Sequence, residues 1–359
     1  MTIRLARPDV GAAELAAVEE VLASGRLTMG PKVAELEAEL ARACAVEQAV
    51  AVSSGTAALH LALRALGVGS GDEVIVPAYT FPATANVCTL TGARPVLVDV
   101  EERTMNLSLD KLEAALTPRT AAVLAVHLFG RPLDWDGLEE LVPGSVPLVE
   151  DAAGALGARY RGRPCGSLGI MGCLSFHPRK IVTTGEGGAV TTDEAELAEA
   201  IRRGRHHGIE PEGAFEIRLP STNYRLSDIL CAVGIPQLRR LPELLDARRR
   251  VAAGYAERLA ALGERVLVPS ADEGDEHGWQ AYIVQLDRRD RVMDALRAAE
   301  IECQIGTYAL HRLAAYRDQG PFPGADRAYE RALALPFHTR LTENELDRVV
   351  ETVAAALGA

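Results

Sequence analysis

A chain of 359 residues, 48% hydrophobic and 25% charged, has the make-up of a folded globular protein long enough for a large and a smaller unit. Its net charge of -12 gives no electrostatic reason to bind nucleic acid or an anionic membrane, so an anionic ligand must be held by a local cluster of donors. The opening Met-Thr-Ile-Arg-Leu-Ala-Arg-Pro lacks a signal-peptide core, and no run reaches membrane-spanning length. Six scattered cysteines contain no Cys-x-x-Cys, so a cytoplasmic protein with reduced thiols and no metal site is expected.

Two amphipathic helices open the chain. Ala12 to Ser24 places Leu15, Val18 and Leu22 at helical spacing with Val21 beside them, and Pro31 to Ala43 carries Val33, Leu36 and Leu40 on one face. An apolar strand, Ala49 to Val52, then runs into Ser53-Ser-Gly-Thr-Ala-Ala-Leu59 and a helix to about Leu66. Such a strand–turn–helix gathers unpaired backbone N–H groups and the positive end of the helix dipole at one point, which suits a phosphate monoester. A serine N-cap on an ordinary helix accounts for the same residues. A short strand, Glu73 to Val76, leads to Pro77-Ala-Tyr-Thr-Phe-Pro82, where Tyr79 and Phe81 stand out in a chain with 4% aromatics; core packing is the plain reading of Phe81.

Three further apolar runs, Pro95 to Val98, Ala121 to Val126 and Pro147 to Val149, alternate with helical segments such as Asp134 to Leu141. Strands apolar throughout, separated by helices, predict an α/β fold whose mainly parallel sheet is covered on both faces. Ligands on such sheets bind beyond the carboxyl ends of the strands. Glu150-Asp-Ala-Ala-Gly-Ala-Leu-Gly157 begins at one of those ends, so its carboxylates are either a helix cap or functional.

Lys180 follows, in Ser175-Phe-His-Pro-Arg-Lys-Ile-Val-Thr-Thr-Gly-Glu-Gly-Gly188, between the strand-like Cys173 to Phe176 and Ala189 to Thr192. It is one of three lysines among 38 basic residues, and the other two, Lys32 and Lys111, sit in charged, helix-like surroundings. An amine can lose its proton and attack a carbonyl, which a guanidinium cannot. Partial burial would lower its pKa toward that use. On position alone, a reactive lysine and a partly exposed lysine at a loop edge are equal readings.

Beyond it come a surface helix, Asp193 to Arg203, the pair His206–His207 without further metal ligands nearby, and Thr222-Asn-Tyr-Arg225. A long helical stretch then breaks near Leu241–Pro242, and Ser227 is the expected N-cap. From Pro242 the pattern becomes a small α+β unit: a helix to Leu262, a strand Ala281 to Gln285, a helix Arg288 to Ala299, a short Glu302 to Ile305, and a last helix Thr342 to Leu357 opening on a capping box. Two domains are expected, 1–241 and 242–359.

Ser-Phe-His-Pro-Arg-Lys with Thr-Thr-Gly-Glu-Gly-Gly closely resembles the cofactor-lysine segment of the DegT/DnrJ/StrS family of sugar aminotransferases, which use pyridoxal 5'-phosphate (PLP). Ser-Gly-Thr, Tyr-Thr-Phe, Glu-Asp-Ala-Ala and Asn-Tyr-Arg match the family's other motifs in order, over essentially the full length. The resemblance implies the aspartate-aminotransferase-like fold (PLP fold type I). It implies Lys180 as the Schiff-base lysine, Asp151 beside the pyridine nitrogen, Phe81 stacked on the ring, and Gly55, Thr56, Ala57 and Ser175 at the phosphate. Asn223 would reach the phosphate of a partner subunit's cofactor, making a homodimer with shared sites. Tyr79, Tyr308 and His311 become candidates for the site's wall. Gly154 departs from the family pattern, where a Gln or His is common near the cofactor, so no side-chain contact is expected from that position, where water or a neighbour could stand in.

The implied reaction moves an amino group from an amino acid, by analogy glutamate, to a keto-sugar linked to a nucleotide. Aminotransferases of cyclitols or aromatic precursors, a sugar dehydratase, and a non-catalytic PLP-binding regulator are the alternatives on the same fold. The dehydratases carry a replaced lysine, and a regulator would be expected to have lost Lys180 or Asp151.

Overall fold

The computed structural model describes residues 2–210, 216–217 and 219–358. Seven strands form the central sheet: β1 (Gln48–Val52), β2 (Glu73–Pro77), β3 (Arg94–Val98), β4 (Thr120–Val126), β5 (Leu148–Asp151), β6 (Met171–Ser175) and β7 (Gly188–Thr192). Their spatial order is β1-β7-β6-β5-β4-β2-β3. Pairing is parallel from β6 through β3, and β7 runs against both of its neighbours. The sheet is mainly parallel, as fold type I requires.

Alternation along the strands divides the core. Val50, Val52, Val74, Val76 and Leu124 enter one buried cluster; Ala49, Ala51, Ile75, Val123 and Ala125 enter a second. Sheet residues buried on both faces explain the unbroken apolar runs. A third cluster surrounds a four-stranded antiparallel sheet of Val266–Leu267, Tyr282–Leu286, Ala332–Leu335 and Gln304–Ile305, in that order. Ile3 belongs to this third cluster, so the start of the chain packs on its end. Helix Leu241–Leu259 joins the regions: Leu241, Leu244 and Leu245 lie in the second cluster, Val251, Ala252, Tyr255 and Leu259 in the third.

Helix α1 (Ala12–Ser24) forms where expected but turns a different face inward. Leu15 is 71% exposed and Leu22 57%, whereas Val21 and Glu14 are buried. Glu14 is held there twice, accepting the Gly11 N–H at 2.6 Å in a capping box and pairing with Arg240 at 3.0 Å. Helix α2 (Pro31–Cys44) buries Val33, Leu36 and Leu40 as expected, and Thr342 with Glu345 closes the capping box of the last helix. The six cysteines are free thiols. No helix among the described residues is long and apolar enough to cross a membrane.

Candidate active site

The carboxyl ends of β1, β5 and β6 open onto a cavity of about 580 Å³. Gly55, Thr56, Phe81, Asp151, Ser175 and Lys180 all line it, although they are spread over much of the sequence. Adjacency of β5 and β6, with Asp151 opposite Cys173, brings the Asp151 carboxyl to the loop that carries Lys180.

Helix α3 (Gly55–Ala65) points its first turn into this cavity. Ser54 caps it, its Oγ accepting the Ala57 N–H at 3.0 Å, while the Ser54 carbonyl accepts the Ala58 N–H. The first-turn N–H groups of Gly55 and Thr56 lack intrahelical acceptors by construction. Both readings of the Ser-Gly-Thr stretch therefore describe one feature, a capped helix whose end opens on the cavity. Ala57 is buried outside the cavity wall, with its N–H already taken by Ser54. Gly55 is needed for close approach, because a Cβ there would lie 2.9 Å from Ser175 Cβ. Glycine thus lets the helix end and the Ser175 hydroxyl share one corner.

Asp151 is 6% exposed. Thr84 donates to its Oδ2 at 2.8 Å and the Ala153 N–H to Oδ1 at 3.3 Å. Burial pushes its pKa up, against the lowering effect of those donors, Lys180 and His127. Burial likewise lowers Lys180, and Asp151 opposes that shift. Burial thus favours the neutral form of both the acid and the amine, and each partner's charge opposes that shift on the other. Lys180 is fixed by a tight loop: its N–H bonds His177 O at 2.8 Å, the Thr184 N–H bonds Phe176 O at 3.0 Å, and the Phe176 N–H bonds Gly187 O at 2.8 Å. The other two lysines lie at the surface, Lys32 in ion pairs with Glu20 and Glu35.

Glu150, whose sequence reading stayed open, is structural. It accepts the N–H groups of Gly166, Leu168 and Gly169 at 2.6, 2.7 and 3.0 Å, and meets His127 Nε2 at 2.9 Å. His127 Nδ1 accepts the Leu133 N–H at 3.0 Å, so its proton sits on Nε2 and points at Glu150. Cys165 lies near both groups. The carboxylate oxygens are engaged and burial raises the thiol's pKa strongly, so this cluster serves to tie loop 166–169 to β5.

Four aromatic or histidine candidates need correction or refinement. Tyr79 is fully buried, outside the cavity wall, and its hydroxyl accepts the Thr307 N–H at 3.0 Å. It braces the strand pair Tyr79–Thr80 with Tyr308–Ala309. His311 also lies off the wall, paired with Asp326 at 3.0 Å. Tyr308 does line the cavity, edge-on to Phe81 at 6.4 Å between ring centres. Phe81 is 63% exposed, so it is no core aromatic. Asn223 is exposed and away from the cavity, and its Oδ1 accepts the Arg225 N–H at 3.2 Å. Thr84, His127 and Gln280 reach the cavity wall without any signal in their local sequence.

The donor set suits PLP: a capped helix end with a serine for the phosphate, a buried carboxyl for a ring nitrogen, and a buried amine for the aldehyde. Fold and site together define a PLP-dependent enzyme of fold type I. Comparison with known proteins carries this to the family. The profile of the DegT/DnrJ/EryC1/StrS aminotransferase family matches residues 8–354. GDP-perosamine synthase of Caulobacter vibrioides is 41% identical over 338 residues, covering 92% of this chain and 91% of its own. The aminotransferase TlmJ from Streptoalloteichus hindustanus superposes with a TM-score of 0.95 at 38% identity, over 99% of both chains. Spr1654 of Streptococcus pneumoniae, a candidate sugar aminotransferase solved in PLP and PMP forms, gives 0.94 at 33% identity over 99% of this chain and 98% of its own. The chain belongs to the DegT/DnrJ/EryC1/StrS aminotransferase family, and its cofactor is PLP.

Proposed function

We propose that this aminotransferase moves an amino group from L-glutamate to a keto-sugar carried on a nucleotide, within a homodimer. The observation that carries the chemistry is the meeting of Lys180 and Asp151 at one cavity beside a phosphate-suited helix end. The sugar-nucleotide acceptor is supported by the relative named GDP-perosamine synthase. In this reading residues 1–241 form the PLP-binding domain, and residues 242–359 form a smaller domain that lends Gln280 and Tyr308 to the wall.

Bound PLP supplies an aldehyde carbon that condenses with amines and a protonated ring that stores the electron pair left when a proton leaves the amino acid's α-carbon. The Gly55 and Thr56 N–H groups, with the Ser175 hydroxyl, hold the phosphate at the positive end of α3. Phe81 covers one face of the ring. Asp151, whose burial favours a bound proton, shares that proton with the ring nitrogen and keeps it charged. Lys180 would be the residue that holds PLP through its aldehyde carbon. Its amine, which burial biases toward the neutral form, would when free serve as base and then acid for the donor's α-proton. Asn223, exposed on its own subunit, reaches the phosphate of the partner's cofactor.

The visible spectrum tests this directly. Purified protein with PLP should be yellow, and L-glutamate should bleach the band while 2-oxoglutarate forms. Lys180→Ala should not regain the wild-type band after glutamate is removed, and its turnover should fall about 10²–10⁴-fold or more. Protein that stays colourless with PLP sinks the cofactor placement; a yellow protein indifferent to glutamate sinks the donor assignment. A panel of keto-sugar nucleotides then identifies the acceptor.

A further inference from the structure

Gly154 lies on the cavity wall three residues after Asp151 and offers no side chain. The space beside it is filled from a distant part of the chain. A Cβ built on Gly154 would lie 3.4 Å from Gln280 Oε1 and 3.6 Å from Gln280 Cβ and Cγ. Gln280 also lines the cavity.

The placement of Gln280 is over-determined. Its N–H donates to Phe129 O at 3.2 Å, and the Gly278 N–H donates to Gly130 O at 2.8 Å. Arg248 clamps the following backbone, donating from Nη1 to Trp279 O at 2.7 Å and Gln280 O at 3.0 Å. His277 Nδ1 accepts the Trp279 N–H at 2.8 Å, and the two rings stack at 4.2 Å. Trp279 (φ 50°) and Phe129 (φ 58°) are both held in the left-handed region, which bulky side chains avoid. Strain of this kind persists only where the surroundings enforce it, and it gathers at functional sites.

The Gln280 amide has contacts to spare. Among the described residues its Nε2 reaches Arg179 O alone, at 3.4 Å, the outer edge of a hydrogen bond, although an amide carries two donors and an acceptor oxygen. Two of the other polar side chains on the wall are already committed, Thr84 to Asp151 and His127 through both ring nitrogens. PLP presents four polar points: ring nitrogen, aldehyde, phosphate and phenolic oxygen. Asp151, Lys180 and the α3 end with Ser175 answer the first three. We propose that Gln280 donates its amide to the phenolic oxygen of bound PLP, replacing from the C-terminal region the side chain that position 154 lacks. This rests on the cofactor placement proposed above.

The test is an exchange cycle read on cofactor binding and colour as well as turnover. Wild type, Gln280→Ala, Gly154→Gln and the double variant Gly154→Gln/Gln280→Gly are titrated with PLP. The pH midpoint of the visible band and the melting temperature are recorded for each. Gln280→Ala should bind PLP about tenfold more weakly, the scale of one lost hydrogen bond to a charged oxygen, and should shift the midpoint while melting like wild type without PLP. Gly154→Gln alone should bind poorly: its Cβ is accommodated at ordinary contact distance from Gln280, but the atoms beyond Cβ compete with the Gln280 side chain for the same space. The double variant should recover affinity and midpoint toward wild type, a coupling that two independent structural lesions would not produce. Unchanged affinity and midpoint in Gln280→Ala overturns the proposal, as does a change confined to the KM for the acceptor. A double variant no better than the worse single one also overturns it. Wild-type protein that fails to bind PLP removes the cofactor placement first, and this inference with it.

Discussion

Single atoms decide whether this site can exist. Gly55 and Ser175 meet so closely that one added methyl group would sit 2.9 Å from a side-chain carbon. Gly55→Ala should therefore push the α3 end away from β6, costing about 1–3 kcal/mol of stability by overpacking. PLP affinity should fall by more than the stability loss explains, as seen by PLP titration beside thermal melts. An equal effect on both would make Gly55 a packing residue only. Glu73, at the start of β2, shows a different residue-scale effect. Arg94, Thr117 and Arg119 bond its buried carboxyl and hold its pKa at about 2 rather than 4.5. A depressed carboxyl adds stability above pH 4.5 and loses it as pH falls toward 2. Glu73→Gln should be less stable than wild type at neutral pH, with the gap closing over that window in denaturant melts at stepped pH. Because both arginines are more than half exposed, salt should narrow the gap as well.

At the scale of elements, segments that meet from different parts of the chain shape the wall. Loops 127–130, 152–154 and 277–280 converge, and His277 locks the last of them. Burial depresses its pKa to about 3 from 6.5. A histidine neutral when folded and protonated when unfolded adds stability above pH 6.5 and loses it as pH falls toward 3. His277→Asn keeps an acceptor for the Trp279 N–H but does not titrate, so its stability should decline less steeply than wild type across that range. Parallel slopes would show that His277 does not carry the effect. Sequence patterning anticipated most elements because strands buried on both faces and capped helices leave local marks. Helix α1 turns inward a different face from the one its leucines suggest, and one of the two partners that hold Glu14 there, Arg240, is far away in the chain.

At the scale of the whole molecule, Asn223 turns away from its own cavity, so its proposed role requires a second subunit. Mixing Lys180→Ala chains with Asn223→Ala chains should restore activity, because each hybrid dimer then holds one site with both residues intact. No recovery, with hybrids verified by tagged co-purification, would place Asn223 outside the shared-site role.

The sequence by itself determined the parallel α/β core, the helix end after β1, the lysine among many arginines and the family, because each lies in a contiguous stretch whose chemistry is local. Only the tertiary structure decided that Tyr79 is a buried brace, that His311 pairs with Asp326 away from the wall, and that Glu150 ties a loop rather than lining the site. It alone showed Gln280 beside Gly154. Those outcomes depend on which distant groups satisfy a buried polar atom, and a linear chain does not reveal its partners until it has folded.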